Sequence, residues 1–439
     1  MSRAVTVIGG GLAGSEAAWQ LAKRGIDVNL IEMRPNVSTP AHKSHLLAEL
    51  VCSNSLRSDS VENAVGLLKE EMRLLDSLII KAADDTKVPA GGALAVDRTE
   101  FSRVITERIE GHPNINIIRE HMDIIPDGPV IIATGPLSSK EISKSILNLI
   151  GEQYLYFYDA ASPIVDGSSL DLSRIFRASR YDRGNDYLNC PMTEIEYTTF
   201  WHELINAKAV ELRSFEGPKV FEGCIPIEIM AKRGMDTLRY GPLKPVGLID
   251  PNSDKQPYAV VQLRQDDRHA TMYNLVGFQT NLKFSEQKRV FSLIPGLENS
   301  KFIRYGVMHR NTFINSPKTL NKYYQFEKDP RIYFAGQITG VEGYVESASS
   351  GLVAGINMAL QIRGKPPIDF TEYTAIGALA NYISDKNIKN FQPMNVNFGI
   401  MKPLDIRIKQ KRERNRQIGN RAISTLKSIV SAKLDNIIK

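Results

Sequence analysis

Only three cysteines, Cys52, Cys190 and Cys224, occur in the 439 residues. They are too few and too scattered for a disulfide framework or a zinc site, and a reducing compartment is the expected setting. No apolar run approaches the roughly 20 residues that span a bilayer, so no membrane association is expected. The first strand starts almost at the first residue, which leaves no room for a signal peptide and makes the cytoplasm the expected location. No internal repeat and no low-complexity tract is present. What remains is an ordinary globular composition, 42% hydrophobic and 24% charged. The length suits two or three domains. A net charge of +6 is compatible with a polyanionic partner without requiring one.

Residues 4–32 read AVTVIGGGLAGSEAAWQLAKRGIDVNLIE. Ala4 to Ile8 predicts a buried strand, and Gly9, Gly11 and Gly14 supply the G-x-G-x-x-G spacing. These glycines serve a tight turn, close approach of backbone to a pyrophosphate, and close packing of helix on strand. Gly10, Leu12 and Ala13 complete the loop and open a helix whose N–H groups and dipole attract phosphate. Val28 to Ile31 predicts the second strand. Glu32 closes it where a ribose hydroxyl is held. A glycine-rich turn before a buried helix does not explain that acid.

The rest of the chain predicts an α/β protein: a Rossmann-like domain of parallel sheet flanked by helices, an inserted mixed domain and a basic helical tail. The expected boundaries are 1–158 and 302–365 for the two parts of the nucleotide-binding domain. The insertion takes 159–301 and the tail 366–439. Residues 36–60 read as loop. Asn63 to Ala82 reads as one helix, with Leu67, Leu68, Met72, Leu75 and Leu78 on one face. A strand ends at Thr134-Gly135. Within the insertion, TLRYGPL, YAVVQL and YNLVGFQT read as strands, and T-E-I-E at Thr193 as a capping box with Glu196. Strand, glycine turn and helix recur at residues 331–360, where Gly336 and Gln337 are expected to offer backbone N–H groups to a cofactor. From Lys402 to Lys433 ten basic residues face two acids, with apolar residues at helical spacing. The pattern fits a phosphate-binding helix or a solvated one.

A second full fingerprint is missing, so one dinucleotide is held tightly. The Ala133-Thr134-Gly135 turn and the late glycine-helix element favour FAD, with NADPH or NADH binding transiently. Neither Cys52 nor Cys224 belongs to a C-x-x-C pair, which argues against a flavin disulfide reductase. Cys52 lies in the loop after the second strand, at the carboxyl edge of the sheet, and Cys224 beside the turn residues Gly223 and Pro226; a free thiol is a competent nucleophile. Cys190 reads as a small buried hydrophobe.

These pieces, with ELVCSNSLRS, PAGGALAVDR, YDAASPIV, VVQLRQ, LVGFQTNLK, RYGVMHRNT, AGQITGVEGY and FQPMNVNFG, resemble the folate- and FAD-dependent tRNA (uracil-5-)-methyltransferase family along almost the full length. A larger flavoprotein family of wobble-uridine modification shares the first and last elements but carries a long extra C-terminal domain. The resemblance implies methylation of carbon 5 of the T-loop uridine, position 54 of tRNA. It implies 5,10-methylenetetrahydrofolate as one-carbon donor, reduced FAD as hydride donor, and NADPH or NADH as reductant. Carried to matching positions, it makes Cys224 the nucleophile and Cys52 the base.

Weaker candidates are His309, Arg310 and Asn311 for folate, where a flat ring and a cation suit its pterin and glutamate. Lys402, Lys409, Lys411, Arg412, Arg414 and Arg416 are candidates for tRNA phosphates. No metal site is expected. The competing classes are the same chemistry on ribosomal RNA, a non-catalytic RNA-binding flavoprotein, and a small-molecule NAD(P)H oxidoreductase. The oligomeric state is not legible.

Overall fold

A computed structural model describes residues 4–39, 41–151, 155–182, 184–210 and 225–434. The strands Val5–Ile8, Val28–Ile31, Ile115–Ile118, Val130–Ile132 and Ile332–Phe334 form one five-stranded parallel sheet. Val5–Ile8 lies in the middle, with Val28–Ile31 on one side and Val130–Ile132 on the other. The order therefore reverses at the first strand, and the carboxyl ends of Val5–Ile8 and Val130–Ile132 diverge there, as at a switch point that receives ligands.

Helices Leu12–Ala22 and Tyr344–Ile362 pack backbone to backbone against each other beside this sheet. A Cβ added at Gly351 would lie 2.1 Å from the Ala13 carbonyl oxygen, and one at Gly355 2.7 Å from that of Ala17. Glycine at those two sites brings the start of the late helix up to the switch point.

The insertion is a six-stranded antiparallel sheet of Phe176–Arg177, Tyr187–Met192, Ala259–Gln265, Met272–Leu275, Ile164–Asp166 and Phe302–Arg304. It has its own apolar core, in which Cys190 is fully buried. The edge strand Phe302–Arg304 carries this sheet past the expected junction at 301. A ribbon of Leu155–Ala160 with Met308–Phe313 follows both crossings between the lobes.

Three local expectations change. Asn63 to Ala82 is two helices, Ala64–Leu74 and Leu78–Asp85, broken at Asp76, whose φ is 54°. Residues 36–60 include the strand Ser55–Ser58. TLRYGPL begins as the short helix Thr237–Tyr240. The capping box at Thr193 forms in both directions.

The tail is docked onto the first domain. Helix Ala375–Ser384 is mostly buried, and Lys411–Ile429 buries Ile418, Ala422 and Leu426. Ile406 precedes that helix and is exposed. The buried Glu71 carboxylate accepts the N–H groups of Ala375 (2.7 Å) and Ile376 (2.8 Å), capping the first of these helices from a distant part of the chain. Burial pushes Glu71 up to about 8, against the pull of those two donors. Its folded value thus exceeds the ordinary 4.5, so the stability it contributes is full below 4.5 and lost as pH rises through about 8. Glu71→Gln keeps an acceptor without the charge. In urea titrations the variant should gain on the wild type between pH 5 and 8, and a constant difference would show that Glu71 stays ionised.

Candidate functional site at the switch point

A cleft of about 1060 Å³, open to solvent, lies at the carboxyl edge of the parallel sheet. Gly9, Gly11, Leu12, Ala13, Glu32, Thr134, Gly135, Gly336 and Gln337 line it. Gly10 and Gly14 play supporting parts. Gly10 donates its N–H to Glu32 Oε2 at 2.8 Å, and a Cβ on Gly14 would fall 1.8 Å from the Gly9 oxygen. Gly11 and Gly135 are different. A Cβ at either would meet nothing within 4 Å, because both face open space. The helix Leu12–Ala22 begins beside that space with no side-chain cap on its first turn. Uncapped N–H groups and backbone free of side chains are what a pyrophosphate needs at such a turn.

Glu32 is buried at the end of its strand. Its Oε1 accepts from Arg34 Nε at 2.8 Å and from the Arg34 N–H at 3.0 Å. Burial pushes the carboxyl up, but the Arg34 hydrogen bonds and charge outweigh it and hold Glu32 below the usual carboxylate range. An ionised acceptor is what a ribose hydroxyl needs. Arg34, itself fully buried, also reaches Glu49 at 3.2 Å, and Glu49 accepts from Lys43 and Ser44. This network ties down the loop after the second strand. Neither Arg34 nor Glu49 was singled out from the sequence. The Gly336 N–H, expected to face a cofactor, instead donates to Ser350 Oγ at 2.6 Å.

Cys52 is partly exposed and follows Val51, which lines the cleft. The N–H groups of Cys52 and Ser53 donate to the Tyr344 hydroxyl at 2.7 and 3.2 Å, and the Cys52 thiol lies 3.7 Å from the Ala160 carbonyl. Tyr344, first residue of the late helix, also lines the cleft. Cys224 lies outside the described residues. The chain directly after it is anchored to residues 279–281. Ile227 N–H donates to Gln279 at 2.7 Å, and buried Glu228 accepts from Thr280 and Asn281, both at 2.8 Å. Thr280 in turn abuts Gly306, where an added Cβ would also strike the Ala161 carbonyl. Cys190 sits in mid-strand, and burial pushes its thiol far up.

His309, Arg310 and Asn311 lie in the strand Met308–Phe313, opposite Asp159, Tyr158 and Phe157. Asn311 is buried. In the tail, Lys402 pairs with Glu372 at 3.0 Å, Arg412 with Glu62 at 2.8 Å, and Arg416 with Glu413. Lys409, Lys411 and Arg414 are exposed and make no ion pair with a described residue.

A glycine-rich turn at the switch point of a parallel sheet, an uncapped helix start beside it and a buried acid beyond it are the features of an FAD-binding flavoprotein. The chain matches the family described as Glucose inhibited division protein A over residues 4–366. It is 62% identical to the methylenetetrahydrofolate--tRNA-(uracil-5-)-methyltransferase TrmFO of Acetivibrio thermocellus, over 97% of this chain and 98% of that protein. It is 61% identical to the protein of the same name in Bacillus subtilis, over 97% and 98%. Among solved structures, Aquifex aeolicus GidA in its form II crystal superposes with a TM-score of 0.71 at 18% identity, over 97% of this chain and 73% of that one. That likeness concerns the fold. This chain belongs to the methylenetetrahydrofolate--tRNA-(uracil-5-)-methyltransferase family.

Proposed function

We propose that this protein methylates carbon 5 of the T-loop uridine of tRNA, position 54, with 5,10-methylenetetrahydrofolate as one-carbon donor. The observation that carries the reading is the placement of Cys52. Cys52 directly follows Val51, and its backbone N–H donates to the Tyr344 hydroxyl; both of those neighbours line the nucleotide cleft. The Gly9–Gly14 loop, Glu32, Thr134, Gly135 and the Gly336–Gln337 turn would hold FAD, which, reduced by NADPH or NADH, would supply the hydride for the methyl group. The remaining work belongs to the chain. The Cys224 thiolate adds to uracil carbon 6 and makes an enolate. Carbon 5 then bonds to the folate methylene carbon. Cys52 takes the proton from carbon 5 while tetrahydrofolate leaves, which gives an exocyclic methylene. Once that carbon is reduced, the carbon 6–sulfur bond breaks, the ring double bond returns and Cys224 is freed. His309, Arg310 and Asn311 bind folate in this reading.

No helix among the described residues is long and apolar enough to cross a membrane. A cytoplasmic enzyme acting on tRNA accords with that. The test is transfer of label from radioactive methylenetetrahydrofolate to tRNA transcripts. Uridine 54 should gain the label and a transcript with cytidine there should not. Label on ribosomal RNA alone would overturn the choice of substrate.

The exposed tail cations should bind phosphate. Neutralising Lys409, Lys411 and Arg414 together should weaken tRNA binding and flatten its salt dependence. For every phosphate no longer neutralised, the slope of log affinity against log salt should fall by about 0.7 to 0.9. An unchanged slope would mean a solvated face. Lys402, Arg412 and Arg416 already have acidic partners, so their removal should matter less.

A further inference from the structure

Three arginines with no role in the reading above converge on the segment that carries Cys52. They are Arg98 in PAGGALAVDR, Arg264 in VVQLRQ and Arg304 in RYGVMHRNT. Arg98 donates to the carbonyls of Leu50 and, at 3.3 Å, Cys52, while Arg304 donates to that of Val51. Arg264 donates to Ser53 Oγ at 2.7 Å and Asn54 Oδ1 at 2.9 Å. Five consecutive residues are thus gripped by three guanidinium groups, Arg98 at the start of the helix Arg98–Glu110 and Arg264 and Arg304 on two strands of the antiparallel sheet.

The charges do not balance. Among the described residues, the carboxylate that pairs with this cluster is Asp266, bound to Arg98 through both oxygens at 3.1 Å. Arg264 and Arg304 form no ion pair with a described residue. Burial pushes both guanidinium groups down, and for Arg304 the charge of Arg98 pushes further the same way. Tyr344 also faces the segment, and burial pushes its phenol up, so it stays neutral. A buried surplus of positive charge is costly unless an anion joins it. The sulfur of Cys52 is an ionisable group that the chain itself carries into this cluster.

We propose that Arg98, Arg264 and Arg304 are positioning residues that hold Cys52 as its thiolate at the rim of the cleft. The proposal rests on the reading of Cys52 as the proton acceptor, since a thiol that already holds its proton cannot take another. A staple for the loop would need only N–H donors. A device for ionising sulfur needs the positive charge, and substitution separates the two.

The experiment is the pH dependence of iodoacetamide alkylation of the FAD-loaded protein. Mass spectrometry of the Cys52 peptide keeps Cys190 and Cys224 apart. Wild-type Cys52 should titrate at least about one unit below the ordinary thiol value of about 8.5. Arg304→Gln, which retains a donor without charge, should raise the midpoint by about one unit, and Arg304→Lys should restore it. Arg98→Gln should shift it in the same direction. Because Arg98 also anchors Asp266, the milder Arg304 pair decides the matter if Arg98→Gln fails to fold. A wild-type midpoint at the ordinary value, or an unmoved midpoint in flavin-retaining Arg304→Gln, overturns the proposal. Methylation by Cys52→Ala reports separately on the base role, so loss of one conclusion does not mask loss of the other.

Discussion

Gly11→Val should yield a folded protein that purifies without flavin. The backbone at Gly11 has a φ of −75°, which valine adopts without strain, and an added Cβ meets no atom within 4 Å. The fold therefore has room for the side chain, and that room is the space in front of the uncapped helix. A valine would stand where a pyrophosphate must approach the backbone. The visible flavin band should be lost while the far-ultraviolet circular dichroism stays that of the wild type. Gly14→Val is the contrast. Its Cβ would lie 1.8 Å from the Gly9 oxygen, so the helix must move off the strand. The expected loss is several kcal/mol of stability, with folding itself in jeopardy. Stoichiometric flavin in Gly11→Val would remove the cofactor from this cleft.

The second large effect is the division of labour between the two thiols. A tRNA carrying 5-fluorouridine at position 54 cannot give up a proton at carbon 5. Attack at carbon 6 should then leave the RNA bound covalently to the protein. Cys224→Ala should abolish both this adduct and methylation. Cys52→Ala should abolish methylation yet still trap the RNA, since Cys52 acts after the carbon 6–sulfur bond forms. Cys190→Ala should retain activity, because that side chain is sealed in the core of the inserted sheet. Trapping by Cys224→Ala but not by Cys52→Ala would reverse the two roles. Absence of any adduct with the wild type would favour a flavoprotein that binds RNA without modifying it.

The nucleotide-binding half was legible because its signals are local. Gly9, Gly11, Gly14 and Glu32 fall within one strand–helix–strand unit, so spacing along the chain is spacing in space. The Thr193 capping box and the start of the helix at Tyr344 were readable for the same reason. Errors arose where tertiary interactions outvote the local pattern. The apolar face running through Leu75 and Leu78 predicts one helix, yet the chain breaks at Asp76. There the buried Glu16 carboxylate accepts from Ser77 Oγ at 2.6 Å and the Ile79 N–H at 3.0 Å, starting a new helix. The Gly336 N–H was expected to be free, but Ser350, well inside the late helix, occupies it.

By itself the sequence determined the fold class, the family and its FAD, since each rests on residues close together in the chain or on motif strings. Only the tertiary structure decided what surrounds Cys52. Arg98, Arg264 and Arg304 lie far apart in the chain, and three ordinary charged positions become a cluster only when the antiparallel sheet and the start of a helix bring them to one loop. Burial supplies the energetic meaning. Charges that water would screen along an extended chain are screened less when they are gathered, partly buried, around one loop.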